Sequence, residues 1–127
     1  MKVFKIILYC FAGIIVLFVL LAGFGTIGLK EAKSLTIQSI DMTQIEDGTY
    51  TGMYENGRWS NTVTVLVEDH RIIDIEILDT GNDSQIAVLN QVTGEVIDQQ
   101  KVDIDSLTGA TATSKSLQKA IENALEQ

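Results

Sequence analysis

The chain has 127 residues and a net charge of −8 at pH 7, which allows one small domain and little else. From Lys30 onward, seven Lys/Arg stand against 17 Asp/Glu, and a domain this acidic cannot bind nucleic acid by neutralising its backbone. The single cysteine, Cys10, permits no internal disulfide, so the domain must be held by its own core.

From Ile6 to Leu29 there is no charged residue over 24 positions. As a helix this run extends about 36 Å, enough to cross a hydrocarbon core of about 30 Å with some tilt. It exceeds the usual signal-peptide core of about 7–15 residues, so residues 1–29 are expected to stay as a transmembrane anchor. The small residues of Leu21-Ala22-Gly23-Phe24-Gly25 leave cleavage as the alternative. Cys10 reads as a small apolar residue of the membrane helix, because bulky Tyr9 precedes it where a lipid-attachment motif needs a small side chain. Lys2, Lys5 and the α-amino group precede the run, whereas Lys30 and Lys33 follow it with Glu31 between them. That asymmetry leans toward a cytoplasmic N-terminus and an extracytoplasmic C-terminal domain at the cell membrane.

Residues 30–46 are polar with scattered Ile and Leu and read as a tether. Within it, Leu35 to Ile40 alternates briefly and offers an edge strand. A β-rich block follows. Gly48 to Tyr54 holds strand formers, and Asn56-Gly57 is a tight-hairpin signal because both residues tolerate positive φ. Trp59 to Val67 is the partner strand, with Val63, Val65 and Val67 on one face. Glu68-Asp69-His70-Arg71 is a second turn. Ile73, Ile75 and Ile77 then alternate with Asp74, Glu76 and Leu78, which completes a three-stranded antiparallel meander.

The period then changes. Asn82, Asp83 or Ser84 can cap a helix in which Ile86, Leu89, Val92 and Val96 recur at helical spacing. Gly94 weakens that helix by up to about 1 kcal/mol relative to Ala, and a break there is open. Gln99 to Asp105 is extended or loop. The last helix is expected from Thr113 or Ser114 to Leu125, with Leu117, Ala120, Ile121, Ala124 and Leu125 as its apolar stripe. The fold class is therefore α+β: an N-terminal transmembrane helix, then a small domain over residues 47–127 with a β-meander and two helices.

The segment from Asp103 to Ser114 carries the chemistry. It gathers Ser106, Thr108, Thr111, Thr113 and Ser114 with small Gly109 and Ala110 at a helix start. Free N–H groups and the positive end of a helix dipole favour phosphate there, and the small residues admit a close approach. The same features also describe an ordinary Ser/Thr-capped helix after a glycine turn.

Asp105-Ser106-Leu107-Thr108-Gly109-Ala110-Thr111 resembles the flavinylation signature Asp-x-x-Ser/Thr-Gly-Ala-Thr of the FMN-binding domain family. That family includes the C subunit of sodium-translocating NADH:quinone oxidoreductase and the G subunit of the related Rnf complex. The continuation Ala112-Thr113-Ser114 is also similar. Asp47-Gly48-Thr49-Tyr50-Thr51-Gly52 resembles the family's opening strand. Asp69-His70-Arg71-Ile72-Ile73-Asp74-Ile75 resembles its Asp-Gly-Lys-Ile strand pair, with His70 in place of the usual Gly. The likeness covers the chain from about Asp47 to its end.

The resemblance implies FMN attached through its phosphate to Thr111 Oγ as a phosphoester. A separate flavin transferase makes that bond, with FAD as donor and Mg²⁺ in the enzyme. Asp105, Thr108, Gly109 and Ala110 are then the elements it recognises, Thr113 and Ser114 complete the cofactor-binding set, and Thr113 is the rival acceptor. The function implied is a membrane-anchored electron carrier, a stand-alone relay or a subunit of a redox complex, without catalytic residues or a substrate of its own. Its partners are redox proteins or a quinone-linked complex, besides membrane lipid. A noncovalent FMN sensor or carrier, and a cofactor-free structural domain outside the cell, are the alternatives. Trp59, Tyr50 and Tyr54 offer either flavin walls or core. His70 reads as a surface imidazole, since one His without companions makes no zinc site, and Asp98 and Asp103 read as solvated carboxylates.

Overall fold

The computed structural model describes residues 1–25, 28–81, 83–105 and 110–126. Helix α1, Lys2–Gly25, is long and apolar enough to cross a membrane, and its residues from Lys2 to Gly23 are exposed throughout. A helix apolar on all sides with no protein cover suits a lipid surrounding.

A second, short helix α2, Leu29–Lys33, follows. Its entry residue Gly28 sits at φ +82, and a Cβ there would collide with the Asn56 side chain. Asn56 Nδ2 donates to Gly28 O at 2.9 Å, which latches the entry of α2 to the domain. Ala32 of α2 is fully buried and clusters with Trp59 and Ala112. The stretch expected as a tether then runs along the domain surface. Ile37, Ile40, Met42 and Ile45 pack against the core, and Ser39 Oγ donates to Asp103 Oδ2 at 2.8 Å. Residues 35–40 form no strand among the described residues. Asp41 caps a helical turn at Met42–Gln44, and hydrogen bonds from the Thr43 hydroxyl and N–H, with His70 assisting, hold its carboxyl below the ordinary value.

The domain is α+β, built on the expected meander. Strands β1 (Gly48–Tyr54), β2 (Asn61–Glu68) and β3 (Arg71–Thr80) pair antiparallel in the order β1-β2-β3. Val63, Val65 and Val67 of the central strand are fully buried on one face, as period-two alternation requires. Helices α3 (Ile86–Gln99) and α4 (Thr111–Leu125) complete the core, α4 against β1 and β2, α3 against β3 and α4. Leu89, Val92 and Val96 from α3 and Leu117, Ala120, Ile121, Ala124 and Leu125 from α4 join the valines in one cluster.

Several local expectations need correction. Asn56-Gly57 is not a two-residue hairpin turn: Asn56 is at φ −158, and the β1–β2 connection runs over residues 55–60 with a helical turn at Gly57–Trp59. The two-residue connection with positive φ at both positions is Asp69-His70, at φ 52 and 59, the backbone a type I′ turn demands. Ile72, 1% exposed, faces the core in place of Ile73, which is 45% exposed. The cause is a bulge: Leu66 pairs with Asp74 but Val67 with Ile72, so Ile73 is the extra residue and the inward face shifts by one. Helix α3 starts at Ile86 after a turn at Asp83–Gln85 and continues through Gly94 without a break; Asn82 lies outside the described residues.

Gln100 ends α3 in the left-handed region at φ 55. Its amide accepts from Ile72 N at 2.7 Å and donates to Ile72 O at 2.9 Å and Ile97 O at 2.6 Å. This one side chain replaces a missing strand partner beside the bulge. Gln100→Ala leaves those groups without their partner and is expected to cost about 1–3 kcal/mol, read as a lower urea midpoint with unchanged slope.

Candidate functional site

Helix α4 begins at Thr111, two residues before the expected start, and its first i→i−4 bond runs from Ser114 N to Ala110 O at 2.9 Å. Thr113 and Ser114 are therefore not caps. They are buried inside the first turn, at 4% and 0% exposure, and Ser116 Oγ bonds back to Thr113 O at 3.0 Å. The N-cap is Ala110, whose methyl offers no oxygen to the first-turn N–H groups. Such a helix start carries the positive end of the helix dipole. Thr111 is half-buried as the first helical residue, so its hydroxyl stands at this rim.

A cleft of about 370 Å³ opens there, lined by Leu29, Lys33, Trp59, Ala110, Thr111, Ala112 and Thr113. Its volume lies within the roughly 300–1,000 Å³ common for small-molecule sites. The walls come from three places in the chain. The 55–60 connection supplies Trp59, the first turn of α4 supplies the motif residues, and α2 supplies Leu29 and Lys33. No carboxylate lines the cleft among the described residues, although the chain is strongly acidic. The Arg58 guanidinium lies 5.0 Å from the Trp59 ring centroid and adds positive charge beside it.

Trp59 is 9% exposed, and its indole N–H is buried with no hydrogen-bond partner among the described residues. An orphaned buried donor costs roughly 1–3 kcal/mol. The Trp59 ring and Leu29, the Lys33 ammonium and the positive end of the α4 dipole suit a ligand with an aromatic body and an anionic tail, and the residues present fit FMN in these respects.

Of the sequence-predicted site residues, Ala110, Thr111 and Thr113 meet in the cleft. Ser114 lies beneath it, fully buried. Asp105 is exposed and is not among the lining residues. Thr108 and Gly109 lie outside the described residues. Among the aromatics, Trp59 belongs to the cleft, whereas Tyr50 donates to Glu46 O at 2.6 Å and packs on the main core. Tyr54 bridges the two apolar clusters, and its hydroxyl accepts from Asn56 Nδ2 at 3.1 Å. Leu29 and Lys33 were read only as the end and flank of the membrane run. No local signal in the sequence joins them to a motif 78 residues further on.

Two other depressions, of about 320 and 280 Å³, contain none of Ala110, Thr111 or Thr113. The first is lined by Glu55, Asp79 and the buried Asn61 among others, and no group of three metal-binding side chains occurs among the described residues.

No curated protein is significantly similar to the chain. The model of the FMN-binding domain family matches residues 24–126, a span that takes in α2, Trp59 and all of the motif. A match over that much of a 127-residue chain, with the motif at the head of α4, makes this protein a member of the FMN-binding domain family.

Proposed function

We propose that this flavin-binding protein is a membrane-anchored electron carrier whose FMN is linked through its phosphate to Thr111 Oγ. The observation that supports the reading most directly is the half-buried Thr111 at the start of α4, lining a cleft that Trp59, Leu29 and Lys33 also line. FMN, when bound, supplies the one- and two-electron chemistry that the chain's own side chains lack. The residues of the chain hold and shield it. Thr111 provides the ester oxygen, Trp59 and Leu29 give apolar walls, and the first turn of α4 points its N–H groups toward negative charge.

Attachment is the work of a flavin transferase that uses FAD and Mg²⁺. The Thr111 Oγ–phosphorus bond forms, the P–O–P bond of FAD breaks, AMP leaves, and the hydroxyl proton passes to a base of that enzyme. Asp105, Thr108, Gly109 and Ala110 are the features it reads. With α1 in the membrane and the domain on its outer side, a covalent bond prevents loss of cofactor to open surroundings. Redox proteins or a quinone-linked complex then exchange electrons with it, because a single domain on a single helix has no means of moving ions itself.

The test is to produce the full chain with a flavin transferase and with FAD, then denature it. The expected result is yellow colour that stays with the unfolded protein and a mass increase of one FMN less one water. Flavin that washes out on denaturation indicates noncovalent binding, and colourless protein indicates a structural domain; either result overturns the proposal.

A further inference from the structure

We propose that α2, the helix that leaves the membrane segment, is a working wall of the flavin site, and that its Lys33 pairs with the cofactor phosphate. This rests on the phosphoester reading above. Lys33 and Leu29 line the same cleft as Thr111, and the side chain of Lys33 makes no ion pair among the described residues. It is the cation that lines this cleft, in a chain with nearly twice as many acidic as basic residues. An aromatic wall stands in the same place: Trp59, nine-tenths buried, is also a lining residue.

The position of α2 is set by the fold and not by the cofactor alone. Ala32 is packed without exposure in the cluster that holds Trp59 and Ala112. Gly28 O is gripped by Asn56 Nδ2, and only a glycine fits beside that amide. Lys33 is therefore presented at the cleft by a braced helix. A phosphodiester on Thr111 carries one negative charge, which attracts the ammonium of a lysine lining the same cleft. Loading the flavin then fastens the domain to the end of its own anchor, so that the carrier's orientation at the membrane depends on occupancy.

Amide hydrogen exchange on the full chain in lipid nanodiscs tests this. Loaded protein, with its adduct verified by mass, is compared with the same chain made without the transferase. The reporters are the Ala32 and Ser34 amides, which bond to Gly28 O and Lys30 O. Loading is expected to slow their exchange about two- to fivefold, as for one partly exposed ion pair. Lys33→Glu, with adduct present, is expected to remove that slowing, and Lys33→Arg to keep it. Raising salt from about 0.1 to 1 M should shrink the effect, since the screening length falls from about 10 to 3 Å. Equal exchange in loaded and unloaded wild type, or slowing that survives in Lys33→Glu, overturns the assignment of α2 and Lys33 while leaving the ester intact. A chain that accepts no adduct overturns the ester reading itself, and the mass measurement tells the two failures apart.

Discussion

Gly52→Ala is expected to destabilise the domain by about 3 kcal/mol, at the upper end of ordinary overpacking. Gly52 lies in β1 opposite Val63 and directly beneath α4. A Cβ on it would run into Ala120 O and Ala124 N and come within 2.6 Å of Ala124 Cα. All of these are helix backbone, so no side chain can swing away and α4 must lift from the sheet. Elsewhere in a strand, Gly to Ala is favourable by roughly 0.5–1 kcal/mol, which makes the expected sign diagnostic. For a domain of this size the loss corresponds to about 12–24 °C in Tm. Thermal unfolding of the full chain in detergent checks it, and an unchanged midpoint would show that α4 does not press on β1 at this point. Because Thr111 heads the lifted helix, the cleft should widen in the same variant.

That glycine shows what the sequence could and could not disclose. Gly52 was legible as part of an opening-strand pattern, but its reason was not, since it depends on a helix 70 residues away. The meander and its core valines were readable from alternation alone, which is a local property. The bulge at Ile73 was not, because two adjacent isoleucines satisfy either register until the partner strand decides. Asn56-Gly57 carried a strong turn signal that was overruled when Asn56 was recruited to hold Gly28. The turn at Asp69-His70 lacks glycine yet adopts positive φ at both positions, with His70 Nδ1 2.8 Å from Ile45 O and Asp69 N donating to Asp47 Oδ1 at 2.8 Å. Long-range hydrogen bonds set the backbone of both connections, which local propensity placed but did not shape.

The candidate site divides in the same manner. Its chemical signal, a Thr after Gly-Ala at a helix start, is contiguous and was readable. Its walls are not contiguous. Trp59 was one of three aromatics with no basis for choosing among them, and burial beside Ala32 and Ala112 separates it from Tyr50. The contribution of α2 was hidden by its own sequence context. Leu29 closes an apolar run and Lys33 flanks it, so both look spent on the membrane. Packing against α4 gives them a second surface to serve.

Thr111→Ala is expected to abolish the flavin adduct completely, a change from about one FMN per chain to none, because alanine has no oxygen to bond phosphorus. Thr111→Ser should keep it, since the same nucleophile remains and only a methyl is lost. The rival hydroxyl is on Thr113, two residues along α4. Thr113 also lines the cleft, but it is 4% exposed, against the half-buried Thr111. An acceptor must enter the active site of a separate enzyme, and a side chain sealed within the first helical turn cannot do so without unwinding that turn. Thr113→Val, similar in shape and lacking the hydroxyl, is therefore expected to retain the adduct, with some loss of stability from the missing polar contact. Peptide mass mapping of the three variants after co-production with the transferase separates the possibilities. Adduct on Thr111→Ala protein together with its loss in Thr113→Val would transfer the ester to Thr113 and would require α4 to open during attachment. Loss in both, with normal melting of each, would mean that the transferase reads the first turn of α4 as a folded unit and not as an extended motif.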